Sequence, residues 1–274
     1  MLNEHLATID GTPLLVRSGS TGAADVVLLH GIPGSGRSWD AVVERLPDDL
    51  RPIVPDLAGF GGSGRSLNLA RIHAEGQAAM LEAALAACGA RTPILVGHDF
   101  GGPVALRLLM RRPDAYRGLI LMSTNAFPDT PVPFPLSLVR APLLSGVAAR
   151  LLFSRFALAG MCRFGAKHGK VDAAAALGDA AQTAAIRTIF AGSLRNLAEL
   201  YGPIERALPE LRVPALVAWG DRDPFFPPSQ AERTANAIPG ARLHILEGCG
   251  HFLPEEDPAS VAALIAEFAR SLPD

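Results

Sequence analysis

Cysteine is scarce in this chain. Cys88, Cys162 and Cys249 are the only three in 274 residues, and none forms a C-x-x-C pair. That excludes a disulfide framework and a thiolate zinc site, and it fits a reducing compartment. Charge is also sparse, at 19% of residues with a formal net charge of −2. No basic stripe with interleaved aromatics occurs, so nucleic acid is not an expected partner. Long apolar runs are missing too. Met1 to Asp10 carries Glu4, His5 and Asp10 instead of a signal-like apolar core, and no stretch approaches the roughly 18 uninterrupted apolar residues of a membrane span. The expectation is a cytoplasmic protein with no membrane partner, no metal and no cofactor. A homodimer stays open. Only two tryptophans and two tyrosines occur, which limits the side chains able to donate a hydrogen bond inside an apolar cavity.

What is present is apolar and patterned. At 28.7 kDa and 49% hydrophobic residues, the chain can bury one α/β domain with an insertion, or two small domains. Leu14–Arg17 fits an early edge strand. Short apolar runs at Asp25–His30, Pro52–Pro55, Thr92–Val96, Gly118–Met122, Val213–Trp219 and Ala241–Leu246 fit buried strands. They alternate with helical spacing at Trp39–Leu46, Leu69–Cys88, Pro103–Arg112, Gln230–Ala237 and Pro258–Leu272. Such βα alternation implies a parallel sheet with helices on both faces. The rhythm stops at Asn125. Four prolines follow within 127–135, and the pattern is helical to about Arg206. The division expected is a core of residues 1–124 and 207–274, with 125–206 forming a helical cap. Gating motion of that cap is expected near 128–135 and 165–169.

The densest chemical signal is Gly97-His98-Asp99-Phe100-Gly101, between an apolar strand and a helix. Strand, glycine-flanked turn and helix are the surroundings of a nucleophile elbow. An isolated Asp between glycines is an ordinary turn residue; this context argues for a nucleophile. A carboxylate there can displace a leaving group at saturated carbon. Two further groups follow later strands: Asp223 in Gly220-Asp221-Arg222-Asp223, and His251 in Gly248-Cys249-Gly250-His251. Loops at strand C-termini form the reactive edge of such sheets. Cys249 fits a small buried residue better than a nucleophile.

The order of elements and four motifs resemble the α/β-hydrolase superfamily over nearly the whole length. The motifs are His30-Gly31-Ile32-Pro33-Gly34, the Asp99 elbow, Gly220-x-x-Asp223 and Gly250-His251-Phe252. His-Gly-x-Pro combined with Gly-His-Asp-x-Gly-Gly is similar to the branch containing epoxide hydrolases and haloalkane dehalogenases. The resemblance implies an α/β-hydrolase fold, with a mostly parallel sheet, helices on both faces and an inserted helical cap. It implies that Asp99 attacks a substrate carbon, and that His251, held by Asp223, activates water against the resulting ester. Asp221 is then a loop residue, and Asp56, His98 and His30 are structural. The amides of Ile32 and Phe100 would hold the oxyanion, each worth about 3 kcal/mol of barrier.

The leaving group is less legible. Dehalogenases of this type commonly place Trp after the nucleophile and Asn or Trp at a second position; here those places hold Phe100 and Ile32. Epoxide hydrolases commonly carry two cap tyrosines. Tyr201 is one candidate donor and His168 a second, each set against a packing or surface role. The cap is rich in Leu, Phe, Ala and Met, so an apolar small-molecule substrate is expected, and its arginines fit a solvated face. Epoxide opening is the leading expectation. Haloalkane or haloacid dehalogenation, and non-catalytic ligand binding on the same scaffold, are the alternatives.

Overall fold

The computed structural model describes residues 2–22, 24–64, 68–132, 134–169 and 171–273. Among the described residues, eight strands form one sheet: β1 (Asn3–Ile9), β2 (Thr12–Ser18), β3 (Ala24–Leu29), β4 (Leu50–Pro55), β5 (Ile94–His98), β6 (Gly118–Met122), β7 (Ala215–Gly220) and β8 (Arg242–Leu246), in the order β1-β2-β4-β3-β5-β6-β7-β8. The β1–β2 and β2–β4 pairings are antiparallel, and every later pairing is parallel. Asp10 (φ 49°) and Gly11 (φ 77°) make the two-residue β1–β2 turn. Two consecutive positive φ angles match the twist of a hairpin, and Asp-Gly tolerates them.

The helices are α1 (Asp40–Val43), α2 (Leu69–Ile72), α3 (Ala74–Ala87), α4 (Gly101–Arg111), α5 (Ser145–Leu152), α6 (Arg155–Gly165), α7 (Ala173–Leu177), α8 (Ala180–Arg195), α9 (Leu197–Ala207), α10 (Pro228–Ala237), α11 (Leu253–Glu256) and α12 (Pro258–Ser271). Strand alternation feeds two cores. Val27, Leu29, Leu95 and Leu121 point to the face covered by α3 and α4. Val26, Leu28, Val96 and Ile120 point to the face that Ile265 and Phe268 of α12 cover. Each such side chain contributes about 1.5–3 kcal/mol on burial. Between β6 and β7 the described residues form helical elements only, from the 3₁₀ turn Leu136–Arg140 through α9 to the turn Leu208–Glu210.

Three boundaries differ from expectation. Strand β1 was not anticipated; it is an exposed edge with little apolar alternation. The single helix expected over Leu69–Cys88 is two, because His73 leaves helical geometry and its Nδ1 caps the Glu75 amide at 3.2 Å. Trp39 ends a 3₁₀ turn that passes directly into α1.

Packing at the start of α4 gives a test. A Cβ at Gly101 would fall against the Leu29 carbonyl oxygen of β3, whereas one at Gly160 in α6 meets nothing within 4 Å. In urea denaturation, Gly101→Ala is expected to lose about 1–3 kcal/mol. Gly160→Ala should be neutral or gain up to about 1 kcal/mol. Equal effects at the two sites would contradict the close approach.

Candidate active site

Asp99 occupies the turn between β5 and α4 with φ 48°. Its amide donates to the Met122 carbonyl at 3.0 Å. Its carbonyl accepts from the Gly102 amide at 3.0 Å and from Thr124 Oγ1 at 2.6 Å. The side chain is therefore fixed at the end of the sheet. The loop after β3 passes so close that a Cβ at Gly31 would lie 2.6 Å from the Asp99 Cβ. That approach brings the Ile32 amide to donate to Asp99 Oδ2 at 2.9 Å. Phe100 lies at the N-terminal cap position of α4.

On the other carboxylate oxygen, His251 Nε2 lies 3.3 Å from Asp99 Oδ1. His251 Nδ1 lies 2.9 Å from Asp223 Oδ2. Asp223 Oδ1 accepts from the amides of Phe225 and Phe226 at 2.8 and 3.0 Å. The rings of Phe225, Phe226 and Phe252 lie 5.0, 5.6 and 5.0 Å from the imidazole. Burial opposes charge on His251, yet the carboxylates of Asp223 and Asp99 outweigh it and push the pKa up to about 10. Burial likewise opposes charge on Asp223, but the His251 imidazolium and the two amides leave its pKa below the usual value. An imidazolium between two carboxylates is the resting charge state this geometry favours.

The neighbouring polar groups are structural. His98 is held neutral, its pKa lowered to about 4 by burial and then by the His251 charge. Its Nε2 donates to the His251 carbonyl at 2.8 Å. His30 donates from Nδ1 to the Gly31 carbonyl at 2.9 Å and accepts the Leu57 amide on Nε2 at 3.0 Å, bracing the Ile32 loop. Asp56 accepts the amides of Gly36 and Gly62, each at 2.7 Å. Asp221 accepts the Gly248 amide at 2.7 Å and has no place in the triad geometry. Cys249 is buried, and burial followed by the nearby carboxylates pushes its thiol up to about 11, so it is not a thiolate at neutral pH.

A cavity of about 210 Å³ opens over Asp99 and His251. Apolar side chains supply most of its wall, among them Leu136, Phe153, Ile189, Phe190 and Phe225. Tyr201 lines it as well. Burial first, then the Asp99 charge, raises the Tyr201 pKa, with the polar Asn125 side chain acting in the opposite direction. Tyr201 is therefore a neutral phenol in the wall of the same cavity as the carboxylate.

His168 does not belong to this site. It is exposed, does not line the cavity, and its amide donates to Glu256 Oε2 at 2.7 Å. The segment around it is hydrogen-bonded to the loop that carries His251. Glu256 also accepts the amides of Lys167, Gly250 and Phe252, and the His251 amide donates to the Gly165 carbonyl. One buried carboxylate thus ties the end of α6 to the loop that carries His251. Sequence reasoning missed Glu256, Asn125, Phe225 and Phe226. Only Asn125 carried a signal, as a polar residue just beyond the end of β6.

Residues 26–264 match the family model described as the alpha/beta hydrolase family. The chain is 30% identical over 258 residues to cis-3-alkyl-4-alkyloxetan-2-one decarboxylase of Shewanella oneidensis, covering 89% of this chain and 81% of that protein. It is 26% identical over 317 residues to epoxide hydrolase A of Mycobacterium tuberculosis, covering 98% of each. A solved haloalkane dehalogenase variant from Bradyrhizobium elkanii superposes with a TM-score of 0.81 at 22% identity over 98% of each chain, a likeness of fold.

The charge arrangement is measurable. A raised His251 pKa stabilises the fold fully below about pH 6.5, and that contribution is lost as the pH rises through about 10. Nitrogen chemical shifts of the imidazole should show it doubly protonated at pH 7.5. In Asp223→Asn the midpoint should fall toward 6.5. A wild-type midpoint at or below 6.5 would contradict the two-carboxylate geometry.

Proposed function

The chain belongs to the alpha/beta hydrolase family, and on that premise we propose that it opens a strained oxygen ring, an epoxide first of all, through an ester on Asp99. The observation that carries this reading is a carboxylate at the elbow. Its Oδ2 is already held by the Ile32 amide, and its Oδ1 faces His251 in an apolar cavity that also contains the Tyr201 phenol.

The steps follow from these contacts. Asp99 Oδ1 bonds to a ring carbon as that carbon's bond to oxygen breaks. The oxygen leaves as an alkoxide still attached to the substrate and takes a proton from Tyr201. Ester formation removes the Asp99 charge, one of the groups holding a proton on His251. The imidazolium can then return a proton to the phenolate and become the neutral base of the second step. There His251 Nε2 removes a proton from water, and the oxygen attacks Asp99 Cγ. The Ile32 amide, joined by the Phe100 amide, stabilises the oxyanion on Oδ2. Collapse restores the carboxylate, and the product oxygen takes the proton from His251. Residues 125–206 act as the cap that excludes water around these steps.

A four-membered cyclic ester is the second reading, favoured by the 30% identical relative named for an oxetan-2-one. Attack at its saturated ring carbon releases a carboxylate, which needs no proton and so suits a cavity with a single phenol. Halide departure is less well served. Phe100 and Ile32 offer no side-chain donor, and the Trp219 indole N–H is taken by the Phe226 carbonyl at 2.8 Å.

His251→Gln incubated separately with epoxide, oxetanone and haloalkane panels tests these readings by mass spectrometry. The expected product is an adduct on the peptide containing Asp99, formed from epoxides. Tyr201→Phe in the same background should slow its formation by about 100-fold or more, whereas oxetanone adducts should be far less affected. Adducts from haloalkanes alone would reject ring opening, and an unlabelled Asp99 throughout would reject the nucleophile.

A further inference from the structure

Among the described residues, nine large apolar side chains are conspicuously exposed, and seven of them, from Phe134 to Phe164, lie on the segment between β6 and β7. Helix α5 has an inverted surface. It buries Ser145, Ala148 and Ala149, and turns Val147 (62% exposed) and Leu151 (68%) outward, with Leu143 (96%) and Leu144 just before it. A surface helix ordinarily buries its large apolar residues. Val147 and Leu151, four residues apart, stand on one face. Phe156 (85%), in the first turn of α6, is a further large apolar side chain turned to solvent on the next helix.

Charge is sorted onto the same segment. From Thr130 to Val171 the sequence contains no Asp or Glu but has Arg140, Arg150, Arg155, Arg163, Lys167 and Lys170, in a chain of net charge −2. The four arginines are exposed, and Arg150 shares the outward side of α5 with Val147 and Leu151.

We propose that this face docks the protein onto an anionic lipid surface. Exposed Leu, Val and Phe side chains gain by entering the boundary between head groups and acyl chains. Guanidinium groups among them gain from negative head groups. A second copy of the chain is a poor match, because two-fold pairing would set the basic rim against itself. The docking is peripheral: among the described residues no helix is long and apolar enough to cross a membrane. It departs from the sequence expectation of no membrane partner, which weighed spanning and signal-like segments only. The same segment supplies Val132, Leu136, Phe153 and Met161 to the cavity wall. A docked molecule therefore holds its apolar cavity close to the bilayer, where an apolar substrate is concentrated. That consequence rests on reading the cavity as the substrate site; the docking itself does not.

Vesicle flotation of the full chain tests the docking without any reaction, so its failure is distinct from failure of the ring-opening reading. The protein should float with phosphatidylcholine vesicles containing phosphatidylglycerol, and should be released by added salt. Pure phosphatidylcholine should bind it much less. Val147→Asp with Leu151→Asp should lose binding by at least about ten-fold, and Arg140→Ala with Arg150→Ala by about five-fold per arginine. Both pairs should keep the wild-type thermal midpoint. Absence of flotation, or equal flotation of the variants, overturns the proposal. So does a wild-type dimer in sedimentation that the Val147→Asp, Leu151→Asp pair converts to monomer, since that would assign the face to a second copy.

Discussion

The site depends on one backbone conformation, the positive φ of Asp99. An L-residue there costs about 1–2 kcal/mol, and it persists because the surroundings leave no alternative. The amide and carbonyl of Asp99 are held by Met122, Gly102 and Thr124. Gly31 and Gly101 let the neighbouring β3 segment approach closer than any side chain would permit. The sheet order then does the assembling. Strand β5 lies between β3 and β6, with β7 and β8 next in line. The residues just beyond these strands (Ile32, Asp99, Asn125, Asp223 and His251) therefore arrive at one edge without any long-range search by their loops.

Electrostatics complete what the backbone begins. An imidazole with carboxylates 2.9 and 3.3 Å away in a buried pocket is a poor base while both are charged, and a better one once either is neutralised. In the proposed reaction, esterification of Asp99 would be such a neutralisation. On that proposal a nucleophilic carboxylate would time its own histidine, which a hydroxyl nucleophile, uncharged at rest, could not do. Asp223 would have to keep its charge through those steps, and the Phe225 and Phe226 amides that donate to it favour the charged form. Glu256 plays a purely positional part. By accepting four amides from the α6 end and the His251 loop, it makes the histidine and one wall of the cavity a single unit.

Much of this was legible in the sequence. Strands β3, β5, β6 and β7 are buried on both sides, so they read as unbroken apolar runs, whereas β1 is an exposed edge and left no such trace. Asp99, Asp223 and His251 stand in short motifs because their geometry is local, a turn and two strand ends. Tyr201 was traceable because tyrosine is rare here. His168 was misplaced because nothing in Gly-Ala-Lys-His-Gly distinguishes a loop facing a cavity from one facing solvent. Glu256 lies near His251 in sequence, but its bonds to Lys167 and His168 span 89 and 88 residues, and the rings of Phe225 and Phe226 reach His251 from a different loop, contacts that no motif records. The exposed face of α5 was equally hidden, since Leu and Val at helical spacing look the same whether they face inward or outward.

The apolar wall bears on what can leave. Polar groups in the cavity wall are few, and the Asn125 amide is engaged on both sides: its Nδ2 donates to the Phe127 carbonyl at 3.0 Å, and its Oδ1 accepts from Phe127, Thr130 and Gln230. A halide stripped of water would find no indole or amide side chain ready to receive it, and an anion left bare in an apolar cavity is costly. An alkoxide is no more stable, but it stays tethered to its own ester and needs a single proton, which one phenol can supply. A ring-opened carboxylate needs none. Under the proposed mechanism, scarcity of donors would narrow the chemistry as much as the nucleophile does, favouring leaving groups that remain part of the substrate.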